Sequence, residues 1–314
     1  YVLEARQGHW RGDAKIKNVF MQHIPEGATE RLLLEKGDID IAREMTPTDI
    51  EGIAGNADLK VQGDVGGQVY YLALNQKKAE LANPKVQEAM RWAIDYTGMQ
   101  DSILKGQWVV HQDFLPLGFL GALDENPYSL DIEKAKALMA ESGLTLPVDI
   151  GFTVRNNQER LDIATSIQNT FSQIGINLVL DVGDGKQGLE TYRGRKHDIT
   201  LQTWGPDYPD PHTNASTFAM NPDNSDAANA TGYLAWRTAW DPGAELNAET
   251  AAAVEEKDSA KRAEMYGDIQ RKVRDNSAFV LMFQQARQDA MRANVSGFYA
   301  GGATDSASYW TVTK

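Results

Sequence analysis

Between Val148 and Trp204 the spacing of apolar residues changes repeatedly, and that switching constrains the fold more than any other feature. Val148 to Val154 reads as a strand. Gln158 to Ile174 places Leu161, Ala164, Ile167, Phe171 and Ile174 on one helical stripe and closes at Gly175. Ile176 to Val182 alternates apolar and polar residues, as a half-buried strand does. Leu189 to Arg193 is a short helix that leads into a further strand ending at Trp204. Strand, helix, strand, helix and strand in succession predict an α/β fold.

The rest of the chain follows the same grammar. Thr29 to Lys36 reads as a helix closed by Gly37, and Ile39 and Ile41 as a short strand. Thr46 caps a helix that begins at Pro47. Leu59 to Val61 with Val65 reads as a strand broken by Gly66-Gly67, and Val69 to Asn75 as a separate buried strand. Asn83 and Pro84 open a helix carrying Val86, Met90, Ala93 and Ile94, and Met99 to Leu104 follows as a short one. Residues 107–130 show no period and read as a long loop, of the kind that is functional or wraps a surface. Asp131 caps a helix closed at Gly143. Leu246 to Glu256 and Ala260 to Asp275 read as helices, Ala278 to Phe283 and Asp289 to Ala293 as two strands, and the tail from Val295 as loop.

Bulk properties exclude several functions. The 314 residues carry a net charge of −13 with both signs interspersed, which argues against nucleic acid and against an anionic membrane surface. With no cysteine, disulfides, thiolate metal sites and a thiol nucleophile are excluded. Its aliphatic or aromatic runs, such as Phe279 to Phe283, are far too short to span a bilayer. The chain opens in mid-strand at Tyr1 to Arg6 without an initiator Met, and we expect a mature product or a piece of something longer.

The stretch with the strongest chemistry is Asp198 to Thr213, DITLQTWGPDYPDPHT. An alternating strand breaks into a loop bearing Trp204, Asp207, Tyr208 and Asp210, stiffened by Pro206, Pro209 and Pro211. Proline fixes its own φ and restricts the residue before it, so such a loop has lost freedom before any ligand arrives. Asp207 and Asp210 could serve as an acid/base pair in a hydrolase. Equally, they could be ordinary turn carboxylates. The five histidines lack metal-ligand spacing, and Gly183 to Gly188 reads as a strand-to-helix turn without phosphate-loop spacing. Trp204, Trp236 and Trp240 are candidates for stacking on a ligand.

The order of blocks is then specific. IPEGATERLLLEKGDIDIA (Ile24 to Ala42), VYYLALN (Val69 to Asn75), NPKVQEAMRWAIDYTGM (Asn83 to Met99) and LDIEKAKALMAESGL (Leu130 to Leu144) come first. SIQNTFSQIGINLVL (Ser166 to Leu180), the WGPDYPDP loop, KRAEMYGDIQRKVRDNSAFVLMF (Lys261 to Phe283) and VSGF (Val295 to Phe298) follow. In this order the chain resembles the solute-binding proteins of peptide, nickel and opine ABC importers, solute-binding family 5. The resemblance implies a two-lobe periplasmic-binding-protein-like fold of class II, cluster C type, without the N-terminal part of the first lobe and the small inserted domain. Residues 1–66 would end the first lobe, 67–287 form the second, ligand-binding lobe, and 288–314 return to the first. Hinge strands are expected at Val65 to Gln68 and Arg287 to Ala290, and residues 1–314 alone are not expected to be independently stable.

The resemblance further implies a non-catalytic, periplasmic protein and no cofactor, and the histidine spacing gives no protein-held metal site. It would capture a peptide or similar amine-bearing solute for an ABC permease, with an opine, sugar or nickel-chelate carrier as the alternative. Trp204 would wall the ligand and Asp207 hold its ammonium group. Tyr208 and Asp210 would shape the loop, Gln202 would reach the cleft, and Arg193 lies near a basic family position. Leu201 stands where oligopeptide binders have an Arg, so recognition of that kind is not implied.

Overall fold

A computed structural model of the chain describes residues 1–301 and 306–314. It opens with a two-stranded ribbon of β1 (Val2–Glu4) and β2 (Asn18–Phe20). Helix α1 (Gly27–Lys36) stops at Gly37, whose φ of 82° is the left-handed conformation that releases a helix end. After β3 (Ile41–Ala42), the Thr46 hydroxyl accepts from Asp49 N–H and starts α2 (Pro47–Gly52). These elements pack Leu34, Met45, Ile53 and Leu59 into a small core of their own.

Strand β4 (Leu59–Leu74) runs for 16 residues straight through Gly66-Gly67. The glycines were expected to end a strand. Instead they mark a register irregularity, between Val65 and Val69, in its pairing with a long C-terminal strand. A Cβ on Gly66 would lie 2.8 Å from the Cβ of Gln285, so glycine is what lets the two backbones pass.

Helices α3 (Pro84–Trp92) and α4 (Tyr96–Asp101) follow, capped by Asn83 and Asp95. The second begins three residues before its expected start at Met99, because Asp95 accepts from Gly98 N–H. The expected loop 107–130 contains β5 (Trp108–Val110). Helix α5 (Ile132–Glu141), β6 (Val148–Arg155), α6 (Gln158–Ser172), β7 (Ile176–Gly183), α7 (Gly185–Arg193) and β8 (Ile199–Trp204) then alternate as the periodicity requires. Every residue of the α6 stripe packs into one large core with Phe152, Ile176 and Leu201.

Helix α8 (Pro211–Ala219) was not expected; its proline start was read as loop. Short α9 (Leu234–Arg237), then α10 (Gly243–Glu255) and α11 (Ser259–Asn276), cover the other face of the sheet, where Tyr71, Phe218, Phe279 and Tyr266 are buried. The chain returns through β9 (Phe279–Arg292), one continuous 14-residue strand rather than two. β10 (Tyr299–Gly301) and β11 (Ser306–Ser308) pair in the tail. Among the described residues no helix is long and apolar enough to cross a membrane.

The main sheet has the order β3-β9-β4-β8-β6-β7, with β5 also on β9. β4 and β9 form an antiparallel ribbon along nearly their whole length. One half, Val69 to Ala73 with Phe279 to Gln284, belongs to the large cores. The other, Leu59 to Val65 with Ala286 to Arg292, serves the small cores built from Leu34, Met45, Val295 and Phe298. In that second half Asp289, 1% exposed, accepts from Arg287 at 3.1 Å and lies 3.5 Å from Arg43.

Two expected outcomes follow from this packing. Gly66→Ala should destabilise the intact protein by about 1–3 kcal/mol in urea unfolding, the usual range for overpacking. Gly63→Ala, whose Cβ would meet only the Arg287 carbonyl oxygen at 3.8 Å, should change little. His197 lies buried before β8, edge-on to Tyr192 at 5.0 Å, with neither ring nitrogen partnered among the described residues. Burial pulls its imidazole down to about 4, so the folded protein holds it neutral. The folded value lies below the unfolded one, so stability is complete above the ordinary histidine range and is lost as pH falls through that range toward 4. By linkage the loss is about 3 kcal/mol. His197→Phe should remove that part of the acid limb; an unchanged limb would contradict the assignment.

Candidate functional site

The site is built by the unequal pairing of β8. On one edge all six residues pair with β4, from Ile199↔Leu74 to Trp204↔Val69. On the other edge only Ile199 and Thr200 pair with β6, opposite Phe152 and Thr153. Beyond Thr200 the parallel neighbours part. β6 connects through α6 to β7 on one side, while β8 reaches β4 on the other. A gap outside the carboxyl ends of parallel strands, where connections diverge, is the usual ligand crevice of an α/β sheet.

One lip of this crevice is the loop after β8. Trp204 is half-buried and packs against the core of Tyr71 and Phe218, and its indole N–H is buried without a partner among the described residues. Gly205 sits against Gln68, where a Cβ would lie 3.0 Å from Gln68 Cγ. The loop therefore starts directly beside the β4–β9 ribbon at its irregular point. Pro206 is buried and anchors the turn, and Asp207 and Tyr208 are exposed at its tip. The Asp207 backbone N–H faces the Thr213 hydroxyl at 3.4 Å, while its carboxylate makes no hydrogen bond or ion pair with a described residue.

Asp210 has a different occupation. Its carboxylate accepts from His212 N–H and so caps α8. It also forms a two-pronged pair with Arg262 of α11, at 2.9 and 2.8 Å. Burial would raise this carboxyl, but the Arg262 hydrogen bonds and the His212 N–H outweigh it and hold it below the usual carboxylate range. Asp210 thus clamps the far end of the loop.

The other lip is the turn from β6 into α6. Arg155 ends β6 opposite Gly183, is exposed, and has no ion-pair partner among the described residues. Asn157 caps α6 by accepting from Arg160 N–H. Glu159 accepts from Tyr70 Oη at 2.6 Å and from Trp108 Nε1 at 3.2 Å. The Arg160 guanidinium donates to the Leu201 carbonyl at 3.0 Å and to Thr203 Oγ1 at 3.2 Å. Sequence reasoning named none of these four residues. The Asn157 cap before an amphipathic helix was a readable signal for where the turn lies, but the partners are distant in sequence.

Two expected site residues lie elsewhere. The Gln202 amide donates to Thr200 Oγ1 at 2.9 Å and so is turned back along its strand, away from the loop. Arg193 is exposed at the end of α7, before β8 begins. Trp204 is five strand steps beyond that beginning, about 17 Å at the usual rise. Of the other stacking candidates, buried Trp236 donates to Ser225 O and lies 4.1 Å under the Arg195 guanidinium, while Trp240 meets Phe279 edge-on. Trp240 packs against the core behind the sheet.

The profile of bacterial extracellular solute-binding proteins, family 5 Middle, matches residues 1–226. The chain belongs to this family. The family 5 chain is 28% identical over 297 residues to the probable D,D-dipeptide-binding periplasmic protein DdpA of Escherichia coli K12, covering 92% of this chain and 55% of that one. It is 27% identical over 299 residues to the nickel-binding periplasmic protein of the same organism, covering 89% and 55%. The fold is shared with a periplasmic binding protein DppA from Helicobacter pylori, solved with the peptide STSA, at a TM-score of 0.87 and 20% identity over 99% of this chain and 59% of that one. The chain spans about half the length of the curated relatives it matches. These relatives are solute binders, not enzymes, and the hydrolase alternative also loses its second carboxylate, because both Asp210 oxygens are engaged by Arg262.

The Asp210 clamp yields a direct test. Asp210→Ala removes a helix cap and a charge-assisted pair, and should cost about 1–3 kcal/mol in denaturant unfolding. Arg262→Ala should cost a similar amount, and the double variant less than the sum, because the two residues share one interaction.

Proposed function

We propose that this family 5 chain forms the ligand-gripping part of an ABC importer's solute-binding protein, which captures a peptide or similar amine-bearing solute and hands it to a membrane permease. The observation that carries this reading is the free carboxylate of Asp207. It stands exposed at the lip of a switch-point crevice on a loop pinned at both ends, by Trp204 in the core and by Asp210 on Arg262. An ammonium group there would gain a charge-assisted hydrogen bond at little entropic cost. Exposed Arg155 on the facing lip offers a cation for the solute's opposite end, and Tyr208 borders the same opening. The relatives named for dipeptides and D,D-dipeptides support the solute class, and their periplasmic names support an extracytoplasmic location.

On this reading the lobes divide at 66/67 and 287/288, inside β4 and β9, and the ribbon between Val65 and Gln68 is the hinge. Hinged closure about ligands is general for periplasmic binding proteins. The facing wall of the crevice would come from the part of the relatives' length that these residues do not span. Calorimetry with a free-amine dipeptide tests the assignment of Asp207. Asp207→Asn should weaken binding about 10- to 100-fold, the worth of a hydrogen bond to a charged group, and should leave an N-acetylated dipeptide unaffected. Equal affinity of wild type and variant for the free amine would overturn the ammonium role.

A further inference from the structure

The geometry points to Arg160 as the positioning residue that aims the Trp204–Asp207 lip, standing in for the strand that β8 lacks at its end. Strand pairing decides which way each backbone group of β8 points. Asn75 N–H donates to Asp198 O, and in an antiparallel ladder hydrogen-bonded positions alternate. Thr200, Gln202 and Trp204 therefore turn their backbone groups to β4, and Ile199, Leu201 and Thr203 turn theirs toward β6. The β6 ladder ends at Thr200, so the Leu201 carbonyl faces the crevice floor with no strand opposite it. Arg160 supplies the missing donor at 3.0 Å and continues to the Thr203 hydroxyl at 3.2 Å. Its guanidinium carbon lies 5.2 Å over the Tyr70 ring, and Tyr70 is the residue opposite Thr203 on β4. A planar fork suits this double contact; an ammonium could make only part of it.

The neighbouring Glu159 makes the corresponding brace on β4 and β5, through the Tyr70 hydroxyl and the Trp108 indole. Trp108 pairs with Gln285 of β9, next to the irregular point of the ribbon. The first turn of α6 therefore floors the splay between β6 and β8, with Arg160 holding the lip and Glu159 holding the ribbon side. Loss of Arg160 leaves the last turn of β8 supported on one edge only, and Asp207 loses its fixed direction.

This rests on Asp207 as the ammonium site, so the test separates the two claims. The readout is the ratio of affinities for a free-amine dipeptide and its N-acetylated form, measured in the intact protein, with hydrogen exchange at residues 201–205 alongside. Arg160→Met is expected to bring the ratio at least fivefold closer to one and to speed exchange at Leu201 and Thr203. Arg160→Lys, which keeps one donor, should lie between, and Glu159→Gln should leave exchange at Leu201 and Thr203 unchanged. An unchanged ratio in Arg160→Met, alongside a lowered ratio in Asp207→Asn, would overturn the positioning role alone. A ratio unmoved by Asp207→Asn would overturn the ammonium site, and exchange unchanged in Arg160→Met would then overturn the positioning role as well. A uniform loss of both affinities with normal exchange would mean that Arg160 merely supports the fold.

Discussion

The structure depends on the unequal edges of one strand. β8 is zipped to β4 along all six residues but to β6 along only two, and the crevice is the space that this difference opens. A strand end with an unsatisfied edge is costly unless something else meets its backbone groups. Here a helix N-terminus does so with side chains. The opening is therefore a built feature with a floor, and the residues projected from its rim inherit a defined direction.

The β4–β9 ribbon does two things at once. It gives the large sheet two of its internal strands, and it carries the chain out to the small cores around Leu34 and Phe298. Gly66 permits the close passage at the irregular point, and Gly205 brings the loop after β8 to rest on Gln68 beside it. The proposed recognition loop and the proposed hinge are thus neighbours across a single side chain. Farther along the ribbon, buried Asp289 is held between Arg287 and Arg43, which ties β9 to the segment after β3.

What could be read from the sequence was local. The caps at Thr46, Asn83 and Asp131 and the stripe of α6 act within a few residues, and each stands where it was expected. What could not be read is carried by distant partners. Gln284 and Gln285 look like loop between two apolar runs, yet they sit inside β9 because β4 and β5 pair with it there. Gly66-Gly67 reads as a stop until Gln285 is seen against it. The start of α8 is a different failure: Asp210 followed by Pro211 obeys the same cap rule as Thr46 and Pro47, but the run of prolines drew the reading toward loop. In the site, Trp204 and Asp207 were legible as a stiffened strand end. Arg160 and Glu159 were not, because their partners lie on β8, β4 and β5.

The most direct measurement is an experimental structure of the intact protein purified with whatever solute it carries. The expected result is a solute in the gap between the ends of β6 and β8, with a positively charged nitrogen within hydrogen-bond distance of the Asp207 carboxylate and its body beside Trp204. A solute bound elsewhere, or one in this gap with Asp207 turned to solvent, would contradict it.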